Sequence, residues 1–150
     1  MNKGKKYNRI IVQIKDLIRD VENPLSCMAT INAILHFKMP GFFWTGFYLL
    51  SNDKLLVGPY QGTLACLSLK TNVGVCWAGI NGRKSVIVGN VEEFDGHVAC
   101  SSLTVSEIVV PLFDNNGLIV GVLDVDSKEE SNFDETDRKY LEEIVNMVYH

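Results

Sequence analysis

Apolar residues Ile10, Ile14, Leu17, Ile18 and Val21 recur along one helical face, which predicts an amphipathic helix over residues 8–21. Asn23-Pro24 then reads as a cap with proline in the first turn, and Leu25, Met28, Ile31 and Leu35 form the next stripe. Pro40-Gly41 ends that helix. The spacing changes from helical to alternating over 42–50, where Trp44, Gly46 and Tyr48 fall on one face of a strand and Phe43, Thr45, Phe47 and Leu49 on the other. Ser51-Asn52-Asp53 is a turn, and 54–58 returns as the second strand of a hairpin. Residues 63–69 are expected to form a third strand carrying Cys66.

A glycine-punctuated stretch, 72–80, leads into a short helix, and 85–89 makes another brief strand. Residues 90–104 have little periodicity and much chemistry, with Glu92, Glu93, Asp95, His97 and Cys100, and are assigned to a loop over the site. Apolar strands at 108–113 and 118–125 are joined by Asp114-Asn115-Asn116-Gly117, a clear hairpin signal. Asp134 and Asp137 open a final helix carrying Leu141, Ile144, Val145 and Val148. Helices at both ends with antiparallel strands between predict an α+β domain: a central antiparallel sheet, helices packed on one face, and active-site loops over the other. One domain spanning 1–150 is expected, with residues 1–8 frayed.

Composition narrows the function. The chain is 47% hydrophobic and 21% charged, as a globular protein is, and no apolar run approaches the roughly 20 residues that span a bilayer. A net charge of -4, with no basic cluster beyond the N-terminus, excludes nucleic acid and membrane as expected partners. The basic start is followed by helical periodicity instead of a signal core, so a cytoplasmic location is expected. Four cysteines, Cys27, Cys66, Cys76 and Cys100, in such a chain read as catalytic, metal-binding or plain core residues in preference to structural disulfides. The spacings from Cys66 to Cys76 to His97 to Cys100 lack the tight pairs of zinc modules, and no glycine-rich phosphate loop is present, so neither metal nor bound cofactor is expected.

The stretch from Phe94 to Asp126 holds the most costly residues. A loop cysteine, Cys100, is followed by Glu107 at the head of an apolar strand and by Asp124 and Asp126 among Val120, Val122, Leu123 and Val125. Asp124 and Asp126 are two apart on a strand and so point to one face, where carboxylates suit an ammonium group. His97 is either a loop anchor or a helper to the cysteine. Cys27, on the apolar stripe of the second helix, reads as core.

These pieces resemble a GAF domain, and more narrowly the free methionine-(R)-sulfoxide reductase family. The likeness covers 25–148 and rests on Trp44-Thr45-Gly46-Phe47-Tyr48, Gly58-Pro59-Tyr60-Gln61-Gly62, Cys66, Gly74-Val75-Cys76, Phe94-Asp95-Gly96-His97-Val98-Ala99-Cys100, Ser106-Glu107-Ile108-Val109-Val110-Pro111 and Gly121-Val122-Leu123-Asp124-Val125-Asp126-Ser127. Trp77 departs from the small residue expected after the Gly-Val-Cys string.

The resemblance implies that Cys100 is the nucleophile and Cys66 the usual resolving thiol, with Cys76 a second one. It also implies that Glu107, Asp124 and Asp126 hold the substrate while Trp44 and Tyr48 shape its side-chain pocket. The implied activity is thioredoxin-dependent reduction of free methionine-(R)-sulfoxide, an oxidative-stress function. A homodimer is compatible with the sequence. The alternative is a non-catalytic GAF domain that binds a small ligand as a sensor, which needs no resolving cysteine.

Overall fold

The computed structural model describes residues 1–97 and 100–150. Its centre is a sheet of six antiparallel strands in the order β3-β2-β1-β6-β5-β4. In chain order these are β1 (Trp44–Ser51), β2 (Lys54–Gln61), β3 (Ser68–Leu69), β4 (Val86–Val88), β5 (Ser106–Phe113) and β6 (Ile119–Ser127). The helices are α1 (Lys3–Ile18), α2 (Pro24–Lys38), α3 (Val75–Gly82) and α4 (Glu135–Val145). This is the expected α+β arrangement of the GAF fold.

Strand alternation gives the sheet two unlike faces. Phe47 of β1, Ile108, Val110 and Leu112 of β5, and Leu123 and Val125 of β6 point beneath α1, α2 and α4, where they meet Ile10, Ile14, Ile31, Leu35, Leu141 and Ile144. The residues between them, Trp44, Tyr48, Val109 and Val122, point the other way and pack with Val75, Cys76, Trp77 and Ile80 of α3. Glu107, Asp124 and Asp126 fall in this second register, and Glu107 lies directly across from Asp126 in the β5–β6 ladder.

Local chemistry explains the element ends. Asn52 and Asp53 both adopt positive φ, the combination that a tight hairpin between twisted strands requires. Asp134 and Asp137 cap α4 reciprocally, each side chain accepting from the other residue's backbone N–H. A bulge opposite Phe47 places Pro59 where no ladder donor is needed, and the Asn32 side chain of α2 donates to its carbonyl at 2.6 Å.

Two expectations need correction. Helix α1 begins at Lys3, so 3–8 are helical and not frayed. The Asn2 side chain caps it by accepting from Lys5 N–H, and Tyr7 is fully buried with its hydroxyl donating to Asp137 at 2.6 Å. The third strand is only Ser68–Leu69, and Cys66 precedes it. After Gly62, at φ +125, the chain leaves the ladder, and only Leu69, paired with Leu55, finds a buried slot. Leu64 and Leu67 stay 87% and 75% exposed, which no sheet-forming alternation would allow.

Candidate active site

Gly46 prepares one wall of the site. Any side chain there would collide with the Trp44 ring and the Tyr60 Cβ, so its absence lets Trp44 stack on Tyr48 at 5.7 Å and on Tyr60 at 5.3 Å. The polar ends of the same aromatics hold the next segment. Trp44 Nε1 donates to the Thr63 carbonyl at 3.0 Å, and the Tyr48 hydroxyl donates to the Cys66 carbonyl at 3.1 Å. Segment 63–66 is thereby draped over the aromatic wall without belonging to the sheet.

Cys66 so placed is bonded to Cys100, with their Cα atoms 5.5 Å apart. The disulfide closes a cavity lined by Trp44, Tyr48, Cys76, His97, Glu107, Asp124 and Asp126. That cavity measures about 40 Å³, enough for about three waters at the 10–15 Å³ each requires and too small for an amino acid. Cys100 is exposed and Cys66 is half-buried, so an external thiol can reach the bond. Val98 and Ala99 of the cysteine string, and with them that part of the 90–104 loop, lie outside the described residues.

The floor is acidic and buried. Glu107 and Asp124 are 5% and 6% exposed, and Asp124 Oδ1 and Asp126 Oδ1 are buried without a hydrogen-bond partner. Burial, followed by the neighbouring Asp126 charge, pushes Glu107 up to about 8. Burial and then Glu107 push Asp124 well above the usual carboxylate range. Burial and then Asp124 do the same to Asp126, with a hydrogen bond from Thr104 offsetting part of the rise. Such a cluster holds protons at neutral pH until a cation arrives.

His97 Nε2 lies 3.7 Å from Glu107 Oε2, and burial holds the imidazole below its usual value. Cys76, on the first turn of α3, points into the same floor. Burial first, then the charges of Asp124, Glu107 and Asp126, push its thiol well up, which favours the protonated form. Trp77 beside it is buried with its Nε1 unpartnered, so the bulky residue after the Gly-Val-Cys string packs into the core and leaves Cys76 facing the acids. Cys27 is buried on α2, on the other side of the sheet, and its thiol donates to the Val21 carbonyl.

Every expected site residue but Cys66 therefore lines one cavity, namely Trp44, Tyr48, Cys76, His97, Cys100, Glu107, Asp124 and Asp126, and Cys66 is joined to it by its bond to Cys100. Sequence reasoning missed Tyr60, Thr63 and Thr104. Tyr60 stands in the Gly58-Pro59-Tyr60-Gln61-Gly62 string with no role assigned to it. Thr63 acts through its carbonyl, which any residue supplies, and Thr104 is a common residue with no distinguishing spacing.

The sequence pattern of the GAF domain matches residues 30–148. GAF domain-containing protein A of Dictyostelium discoideum is 41% identical over 98% of this chain and 92% of its own length. The free methionine-R-sulfoxide reductase of Escherichia coli is 35% identical over 97% and 87%. The X-ray structure of free methionine-R-sulfoxide reductase from Neisseria meningitidis in complex with its substrate aligns with a TM-score of 0.93 at 39% identity, covering 99% of this chain and 89% of that one. With a disulfide-bonded pair of cysteines set over a buried acidic floor and likenesses of this extent, the chain belongs to the GAF-domain free methionine-R-sulfoxide reductase family.

Proposed function

We propose that this protein reduces free methionine-(R)-sulfoxide to methionine, with Cys100 as nucleophile, Cys66 as resolving thiol and a thioredoxin-like dithiol as reductant. The observation that carries the reading is the Cys66–Cys100 disulfide standing over three carboxylates, Glu107, Asp124 and Asp126. Family membership supports the same activity. In this reading the chain acts as one domain in a reducing cytoplasm. Among the described residues no helix is long and apolar enough to cross a membrane.

Opening the disulfide frees Cys100 and gives the cavity room for an amino acid. The substrate ammonium displaces protons from the acidic floor and pairs with Asp124 and Asp126, a cation that peptide-bonded methionine lacks. Its carboxylate faces the first turn of α3, where Gly74 at φ +92 supplies no side-chain cap and the backbone N–H groups remain for an anion. Trp44 and Tyr48 enclose the thioether end. Cys66 is a better resolving thiol than Cys76, whose proton is held by the acids beneath it.

The Cys100 thiolate attacks the sulfoxide sulfur, and Glu107, the acid not paired with the ammonium and raised to about 8, donates its proton to the oxygen. The sulfoxide sulfur is reduced by two electrons to the thioether, and Cys100 is oxidised to the sulfenic acid. Cys66 then displaces that oxygen as water, forming the disulfide, and the external dithiol returns both cysteines to thiols while becoming a disulfide itself. His97, next to Glu107, helps orient this acid and the returning Cys100.

NADPH consumption coupled through thioredoxin and its reductase, with free methionine sulfoxide, tests the proposal. Wild type is expected to turn over and Cys100→Ser to lose at least about a thousandfold in kcat. Unchanged activity in Cys100→Ser would refute the nucleophile. No consumption by wild type, with methionine sulfoxide still bound, would leave a sensor in place of an enzyme.

A further inference from the structure

We infer that Cys76, Glu107 and Asp124 form a binding site for a thiophilic divalent cation, with the zinc class as occupant. The Cys76 sulfur, a Glu107 carboxylate oxygen and an Asp124 carboxylate oxygen all lie within 4.8 Å of one another. The residues come from α3, β5 and β6, so the rigid sheet and the helix packed on it set the donors. All three side chains are nearly inaccessible to solvent, at 4%, 5% and 6% exposure for Cys76, Glu107 and Asp124. A second feature points to a missing positive ligand: Asp124 Oδ1 is buried and accepts no hydrogen bond.

The donor set selects the ion. One sulfur with two carboxylates suits zinc or cadmium, at about 2.3 Å to sulfur and 2.0–2.2 Å to oxygen for zinc. Calcium and magnesium prefer oxygen alone and more of it. Three protein ligands leave an open position on the cavity side, where Asp126 Oδ1 is also without a partner. The cavity of about 40 Å³ accepts an ion with a water or two while the disulfide is closed.

On binding, the metal–sulfur and metal–oxygen bonds form as the Cys76 S–H proton and the protons held by Glu107 and Asp124 leave to solvent, which a coordinated dication drives even for groups of raised pKa. No redox step is involved. The ion occupies the carboxylates assigned above to the substrate ammonium, so the metal-bound protein is an inhibited form, and the occupant does not depend on the reductase reading being right.

The test uses the full chain in its disulfide form, treated with a chelator and then freed of it, titrated with cadmium chloride and read by ultraviolet thiolate-to-cadmium charge-transfer absorbance. With Cys66 and Cys100 bonded to each other, the expected signal saturates at about one equivalent and comes from Cys76. It should vanish in Cys76→Ala, persist in Cys27→Ala, and shift to at least about tenfold weaker affinity in Glu107→Gln and Asp124→Asn. Absence of the band in folded wild type, its survival in Cys76→Ala, or its loss in Cys27→Ala would overturn the site. Unchanged affinity in both carboxylate variants would do so equally.

Discussion

The two faces of the sheet each bury aspartate, under opposite rules. Beneath the terminal helices, Asp137 is 1% exposed and fully engaged: Lys3 Nζ donates at 2.7 Å, the Tyr7 hydroxyl at 2.6 Å and the Asp134 backbone N–H at 2.9 Å. On the other face Asp124 is nearly as buried, yet one oxygen has no partner and the other shares its surroundings with an acid and a thiol. Three donors from within the chain compensate Asp137, whereas Asp124 faces only the Glu107 acid and the Cys76 thiol. The ligands proposed above would compensate the second.

The largest effect that could break this contrast is on stability. Asp137→Ala removes the α4 capping box and leaves the Tyr7 hydroxyl buried without a partner, an expected loss of about 2–4 kcal/mol by urea denaturation. Asp124→Asn should cost little or stabilise the ligand-free protein. Equal destabilisation by both would remove the distinction between the faces.

A smaller effect concerns the ligand. In the reduced protein Asp124→Asn should weaken free methionine binding by about 1.5–3 kcal/mol, measured by calorimetry, because a charge-assisted bond to ammonium is lost. Asp137→Asn, distant from the cavity, should leave that affinity unchanged.

The pH dependence of stability sharpens the comparison further. Glu107 is raised from the ordinary carboxylate range to about 8, so between about 4.5 and 8 the folded state binds a proton that the unfolded state has lost. That contribution is full below the unfolded value and disappears as pH rises through the folded one. Stability of the chelator-treated, ligand-free protein should therefore fall with pH, by up to about 1.4 kcal/mol per unit for each retained proton. Burial lowers His36 and His97, which act in the opposite sense near their ordinary values, so the slope is best read above pH 7. Glu107→Gln should flatten it; a slope unaltered in that variant would place the proton elsewhere.

The smallest expected change is in hydrogen exchange. Amides of 90–97 and 100–104 should exchange faster in the reduced protein than in the disulfide form, while β5 and β6 stay the same. Indistinguishable exchange in that loop would count against an opening of the cavity on reduction.

Much of the fold was legible because its signals are local. Alternation over β1, β5 and β6, the Asp114-Asn115-Asn116-Gly117 turn and the helical stripes each follow from periods of two or 3.6 residues and from turn chemistry. The start of α1 was not, since Lys3 to Lys6 carry no apolar repeat and the helix depends on Tyr7 meeting Asp137 from the far end of the chain. The short β3 was not legible either. Leu64, Ala65, Cys66 and Leu67 have strand-like character, yet of these Leu67 alone accepts a backbone hydrogen bond from β2, at Val57, and the ladder proper is limited to Ser68 and Leu69.

Amino-acid sequence alone determined which residues are candidates for chemistry: a loop cysteine, two further candidate thiols, and acids placed where the strand pattern demands apolar residues. Tertiary structure decided how they combine. It paired Cys100 with Cys66 and set Cys76 among the acids as a buried thiol of raised pKa, because that choice depends on α3 packing over β5 and β6 and on Trp44 and Tyr48 pinning segment 63–66. It also left Asp124 uncompensated while satisfying Asp137, a difference of partners brought from distant parts of the chain, which no local period encodes.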